Sequence, residues 1–205
     1  MLDDLALLPL MRVIASGGSG AAAQLLRATP RLAAAKLARG ATRATADELF
    51  LPECHMHVYA GDTALHVAAA VYDVGFARTL LAAGADVRAR NRRGGEPLHA
   101  AVNGAPGSSE WDPERQAAMV TFLIEAGADP DAVAAGGVTP LHRAVRNRCA
   151  SAVRALLDAG ADPHRSNDNG STAVMLAGWT TGRGGSGSPE AKAEQARILR
   201  MLAAG

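Results

Sequence analysis

A short phrase recurs along the chain, and its spacing restricts the fold more than any other feature. It is best formed in Thr139-Pro140-Leu141-His142-Arg143-Ala144-Val145. Earlier forms are Thr63-Ala64-Leu65-His66-Val67-Ala68-Ala69 and Glu96-Pro97-Leu98-His99-Ala100-Ala101-Val102. A later one is Thr172-Ala173-Val174-Met175-Leu176-Ala177. The starts at 63, 96, 139 and 172 are separated by steps of 33, 43 and 33 residues. A period near 33 with this phrase marks stacked helix pairs, each burying its apolar face only against its neighbours.

The residue types suit such a unit. Thr63, Thr139 and Thr172 are N-cap residues whose hydroxyl can accept an orphan helix N–H. Pro97 and Pro140 follow at the first helical position, where a missing N–H costs nothing. Leu65, Leu98 and Leu141 are core positions, and the alanines after them let neighbouring helices approach. A second helix carries Leu80-Leu81, Leu123-Ile124 or Leu156-Leu157. It ends at Gly84, Gly127 or Gly160, each suited to a left-handed C′ position. Ala-Asp then opens an extended connection, at 85–86, 128–129 and 161–162.

These residues resemble the ankyrin repeat family over roughly residues 61–205. The resemblance implies an all-α repeat solenoid of helix-turn-helix units joined by finger loops. The expected units are 61–91, 92–132, 133–167 and 168–205, in one continuous domain. Residues 1–60 would precede them as a degenerate N-terminal capping repeat and a long finger. The resemblance also makes His66, His99 and His142 structural, bonding across the turn to hold adjacent fingers. Met175 replaces that histidine in the last copy, so hydrogen bonding there should be weaker. Arg143, the variable position of the phrase, would face the concave groove, and Arg146 shares its helix face three residues on.

Composition bounds the rest. The chain has 205 residues, 48% of them hydrophobic, enough for a core, but only 3% aromatic, so Ala and Leu must fill it. A formal net charge of +1 and scarce aromatics count against a nucleic-acid binder. Cys54 and Cys149, far apart, fit a reducing compartment, and a cytoplasmic monomer is the expected state. No apolar run approaches the ~20 residues of a membrane span. The acidic start Met1-Leu2-Asp3-Asp4 does not suit a secretory signal.

Before the repeats, Leu5 to Ile14 and Ala21 to Ala28 read as two helices broken by Gly17-Gly18-Ser19-Gly20, with a short third over Leu32 to Leu37. Residues 53–58 alternate in a period-two strand pattern. That alternation puts Cys54 opposite His55 and His57, which argues against a metal site, and no cofactor or metal is expected.

Two repeats carry inserts between their helices. One is Gly104 to Glu114, the other Gly178 to Glu190, and each holds one of the chain's two tryptophans, Trp111 and Trp179. Each ends in an N-cap, Pro, Glu string, Asp112-Pro113-Glu114 or Ser188-Pro189-Glu190, a good helix start. Their equivalent positions place them on one edge, either as independent solvent-exposed loops or leaning together over the third repeat. Trp111 and Trp179 would wall a site there, with Arg148, Cys149 and the glycine-rich backbone around Arg183 at its floor or rim. That backbone is no phosphate loop, because the Gly-Lys-Ser/Thr ending is missing.

The leading functional expectation is a non-catalytic scaffold that binds a protein partner through the groove and the two inserts. Its candidate contact residues are Arg90, Arg93, Arg143, Arg146, Trp111, Trp179, Arg148 and Arg183, and the basic set suits an acidic partner. The rival reading is a small-molecule or anion-binding protein, with or without enzymatic activity, working through the Trp- and Gly-rich inserts. No Ser/His/Asp grouping or paired carboxylates support catalysis.

Overall fold

The computed structural model describes residues 2–179 and 188–203. The chain divides into two compact units, residues 1–101 and 102–205. Helices dominate both, joined by turns and fingers, and the fold class is the all-α repeat expected from the recurring phrase.

The first unit holds α1 (Leu2–Ala15), α2 (Ser19–Ala28), α3 (Ala64–Ala70), α4 (Val74–Ala82) and α5 (Pro97–Ala101). The expected third helix is reduced to a 3-10 turn, Pro30–Ala33. The central element is α3, in which every residue is buried. It packs against α1, α4 and α5. On α1, Leu7, Leu10, Met11 and Ile14 repeat at helical spacing and are fully buried. Asp4 at its start accepts hydrogen bonds from Ala38 N (2.8 Å) and Arg39 N (3.2 Å), closing the turn that leaves the hairpin.

The connection from 34 to 63 is held by backbone pairing. Leu37 N donates to Asp62 O (2.9 Å), Gly61 N to Leu37 O (2.7 Å) and Ala41 N to Val58 O (2.7 Å). Gly40 lies between these bonds, where an added Cβ would fall 1.9 Å from Ala60 N, so no other residue fits without moving the backbone. The expected strand over 53–58 is instead a small hairpin. Strand β1 (Phe50–Leu51) pairs antiparallel with β2 (Met56–His57), Phe50 opposite His57 and Leu51 opposite Met56. Pro52 fixes its φ and cannot donate to a ladder, so the chain turns there through Pro52–Cys54. His55 closes the turn at φ 48°. The alternation survives beyond it, with Met56 and Val58 buried and His57 half-buried against the Phe50 ring at 4.8 Å.

The second unit holds α6 (Pro113–Glu125), α7 (Pro140–Arg146), α8 (Ala150–Asp158), α9 (Ala173–Ala177) and α10 (Pro189–Ala203). Helix α8 packs on α6, α7 and α10, and α9 on α7 and α10. Leu123, Leu141, Val153 and Leu156 are fully buried between them. Asp112 caps α6 by accepting from Glu114 N (3.0 Å) and Arg115 N (2.9 Å), and Ser188 Oγ caps α10 by accepting from Ala191 N (3.1 Å). Gly84, Gly127 and Gly160 adopt φ of 93°, 104° and 86°, the left-handed conformation that ends α4, α6 and α8.

Within each unit the same polar clamp joins successive repeats. In the first, His66 Nδ1 lies 3.1 Å from Thr63 N and 3.0 Å from Thr63 Oγ1, and Nε2 lies 3.1 Å from Gly95 O. In the second, His142 Nδ1 meets Thr139 N at 3.2 Å and Thr139 Oγ1 at 2.8 Å, and Nε2 meets Ser171 O at 3.0 Å. A carbonyl only accepts and a backbone N–H only donates. Nε2 therefore carries the proton and Nδ1 is bare, which is the neutral Nε2–H tautomer. At His66 burial pushes the ring pKa below its ordinary 6.5. Asp62, with Oδ1 3.5 Å from Nε2, works the other way, but burial outweighs it.

An asparagine presents the carbonyl that each histidine meets. Asn91 Oδ1 accepts from Arg93 N (2.9 Å) and Gly95 N (3.0 Å). Asn167 Oδ1 does the same for Asn169 N and Ser171 N, both at 3.0 Å. The equivalent position in the third repeat is Ala134, which lacks the side chain. There an Ala134–Val138 bridge closes the turn instead, with Gly136 and Gly137 at φ 80° and 69°.

Two outcomes follow from this packing. Deleting residues 1–38 uncovers the face of α3 that α1 buries; the truncated chain should bind a hydrophobic dye and self-associate. A soluble, monomeric truncation of unchanged stability would show that α1 and α2 do not act as a cap. The second concerns pH. The unfolded chain binds a proton at His66 more readily than the folded one, so stability is complete above about pH 6.5 and declines as pH falls below it. The urea midpoint should drop between about pH 7.5 and about pH 5.5, and less so in His66→Gln, whose amide does not titrate there. An equal drop in the variant would remove His66 as the cause.

Candidate interaction surface

The residues with latent chemistry are built into the fold. His66, His99 and His142 are each about 1% exposed. Cys149 is buried, and burial pushes its thiol up to about 12, with Glu194 adding to the rise and a Gln116 hydrogen bond opposing it. Burial, with Glu53 second, likewise takes Cys54 up to about 12. A reactive thiol needs the opposite shift. Among the described residues no three His, Cys, Asp or Glu side chains gather as a metal site.

The basic candidates lie in two places. Arg90 and Arg93 are exposed on the finger of the first unit. Arg90 Nε is 3.5 Å from Glu96 Oε1, so a carboxylate offsets its charge. Arg93 stacks on Tyr59, its guanidinium carbon 5.1 Å from the ring centroid and Nη1 3.3 Å from the hydroxyl. In the second unit Arg143 is half-buried on α7, and Arg146 in its last turn is exposed.

The two tryptophans have different neighbours. Trp111 is half-buried in the first insert, and its Nε1–H donates to Gln116 Oε1 at 2.9 Å. The Gln116 amide in turn donates to Asn103 O at 3.0 Å, although the side chain is completely buried. The insert folds back so closely that a Cβ on Gly104 would lie 2.6 Å from Trp111 Nε1 and 2.7 Å from Cys149 Sγ. Trp111 therefore works chiefly as the anchor of its own loop. Trp179, at 51% exposure, instead borders a shallow pocket with Val145, Arg146, Arg148, Leu176 and Gln195. Gln195 Nε2 donates to Ala177 O (2.8 Å) and Trp179 O (2.9 Å), which ties α10 to the end of α9.

Gly107 of the first insert lies beside the start of α10, a point the motif pattern did not mark. A Cβ on Gly107 would lie 3.4 Å from Glu190 Oε2, in the first turn of α10. Arg148, buried at φ 60°, closes the tight turn between α7 and α8. Helix α8 has no capping side chain of its own at Cys149. Buried Glu194 of α10 supplies one, its Oε2 accepting from Ala150 N at 3.0 Å and its Oε1 held by Arg197 Nη1 at 2.8 Å. Arg183 and the glycines around it lie outside the described residues.

The close fit at Gly104 is testable. Gly104→Ala should destabilise by about 1–3 kcal/mol, the usual cost of overpacking. Gly20→Ala serves as the contrast, because Gly20 is exposed on α2 with nothing within 4 Å of its added Cβ. It should stabilise by about 0.5–1 kcal/mol through helix propensity. Urea denaturation reads both, and a Gly104→Ala protein of wild-type stability would refute the packing at that loop.

Comparison with known proteins agrees with this geometry. Residues 60–92 match a sequence model described as ankyrin repeat, and residues 123–177 one described as ankyrin repeats (many copies). Ankyrin repeat and SOCS box protein 16 of Mus musculus is 42% identical over 117 residues, 56% of this chain and 25% of that protein. Neurogenic locus notch homolog protein 1 of Danio rerio is 32% identical over 117 residues, 57% of this chain and 4% of its own length. The 2-5A-dependent ribonuclease of Mus musculus is 47% identical over 60 residues, 29% of this chain and 8% of that one. The chain thus spans a quarter or less of these relatives. The matched segments contain the His66 clamp residues 63–66 and the whole of α7 to α9, and these segments are ankyrin repeats.

Proposed function

We propose that the protein is a non-catalytic interaction scaffold that binds an acidic protein partner. Ankyrin repeats are in general protein–protein interaction modules, and the finer reading rests on one observation. Arg146 and Trp179 stand at the same register, seven residues after Thr139 and Thr172, beside one pocket, and both are exposed. Trp and Arg are the residues that most often anchor protein interfaces. Arg143, three residues before Arg146, extends the basic face of α7. On the finger of the first unit, Arg93 offers a further cation, while Arg90 is offset by Glu96.

The pocket supports a partner side chain better than a metabolite. Its volume is about 10 Å³ among the described residues, room for about one water. Small-molecule sites run to roughly 300–1,000 Å³. The thiols that burial holds protonated, and the histidines spent on the clamp, support a protein that binds rather than reacts. Residence in the cytoplasm as a monomer belongs to the same reading, and the free state of Cys54 and Cys149 is consistent with it.

Photo-crosslinkers placed at 146 and 179 test the proposal in cells. The same protein should be captured from both positions and not from Arg27, exposed on α2. Arg146→Glu should then slow association with that partner and flatten its salt dependence. Capture that is equal at all three positions, or an association rate unchanged in the variant, would overturn the assignment.

A further inference from the structure

On the finger of the first unit, two cations converge on one ring. The guanidinium carbons of Arg92 and Arg93 lie 5.2 Å and 5.1 Å from the centroid of Tyr59. The two charges are therefore no more than 10.3 Å apart, the sum of those distances. Both arginines are exposed, and neither has a carboxylate partner among the described residues. The nearby acids are committed elsewhere. Asp62 is fully buried and accepts from Tyr59 N (2.6 Å) and Asn91 Nδ2 (2.8 Å), while Glu96 faces Arg90.

The two side chains are also held in place. The Arg92 backbone N–H donates to Ala60 O at 2.7 Å, and its Nη2 to Ala41 O. The Arg93 N–H is fixed by Asn91 Oδ1, and its Nη1 by the Tyr59 hydroxyl. Two like charges held this close repel one another, and neither is in an ion pair among the described residues. An approaching anion relieves that repulsion and meets donors already ordered, so it loses less entropy than on free side chains. At no more than 10.3 Å apart they lie within little more than one Debye length, ~8 Å at physiological salt, so both act on the same anionic segment.

We propose that Tyr59, Arg92 and Arg93 form an anion clamp that receives a run of carboxylates in an acidic segment of the partner. This deepens the scaffold reading, from which it takes the nature of the partner, and adds Tyr59 and Arg92 to the contact residues. Tyr59 acts as the platform: its ring holds both guanidiniums by cation–π attraction and leaves their outer N–H groups for the ligand.

A hexaglutamate peptide is the probe, titrated into the isotope-labelled full chain at low salt and followed by NMR. The Arg92 and Arg93 Nε–H signals and the Tyr59 ring signals should shift together, and raising NaCl from about 20 to about 200 mM should suppress the shifts. Arg93→Gln removes one cation while leaving the Ala41 anchor intact, and should weaken binding about threefold or more at low salt. Arg27→Gln should bind as wild type. Peptide shifts that miss residues 59, 92 and 93, or that persist unchanged in Arg93→Gln, would overturn the clamp. The peptide assay needs no cellular partner, so its failure leaves the crosslinking result at 146 and 179 standing, and the reverse also holds.

Discussion

A neutral imidazole, proton on Nε2, bridges the cap of one helix to the backbone of the next repeat. The rest of the structure depends on that bridge. An ankyrin-type helix such as α9 has five residues and α7 only seven. Helices that short do not persist alone, because nucleation costs more than one or two turns return. The Thr-His pair fixes the first turn and gives the buried ring two partners. Removing the ring would strand Thr63 N, at roughly 1–3 kcal/mol for a buried group left unsatisfied, and would leave Gly95 O with only its bond from Asn91 N at 3.0 Å. Where Met175 stands in place of the histidine, Thr172 Oγ1 still caps at 3.2 Å from Met175 N, but Met175 is 53% exposed and its thioether has no proton to donate across a turn.

That commitment shapes what the surface can do. Histidines, threonines and the buried thiol Cys149 are consumed by the scaffold, and the outward positions are left to vary. Val67 and Ala100 occupy the variable position of the phrase and are buried, whereas Arg143 at the same position is half-exposed. Surface chemistry therefore concentrates at the ends of helices and along fingers, in Arg146, Trp179 and the arginines around Tyr59. Rigid repeats that display such side chains suit recognition, where preorganisation reduces the entropy lost on binding.

Much of this was legible in the sequence because it is local. The caps at Thr139 and Asp112, the prolines that begin α5, α6, α7 and α10, and the left-handed glycines at 84, 127 and 160 each follow from a residue and its neighbours. The buried leucines follow from period. What escaped depends on pairs distant in the chain. Glu194 capping Ala150, forty-four residues away, has no sequence signal. Nor has Gly40, whose need for a missing Cβ comes from Ala60. The alternation at 53–58 suggested one strand because Pro52 was read without the β1 residues before it. The basic finger looked uniform in sequence, yet Arg90 meets Glu96 while Arg92 and Arg93 meet Tyr59. Asn91 and Asn167, eight residues before His99 and Met175, were a signal that pattern reading could have found.

The clamp can be observed directly at its nitrogen atoms. Long-range 1H–15N correlation of the histidine rings at about pH 7 resolves tautomers, because protonated and bare ring nitrogens resonate far apart. His66 and His142 should each show a protonated Nε2 and a bare Nδ1, the state required by the Thr63 N–His66–Gly95 O and Thr139 N–His142–Ser171 O geometry. A proton on Nδ1, or an imidazolium at either ring at that pH, would mean that the backbone N–H is not held by the ring, and would contradict the account.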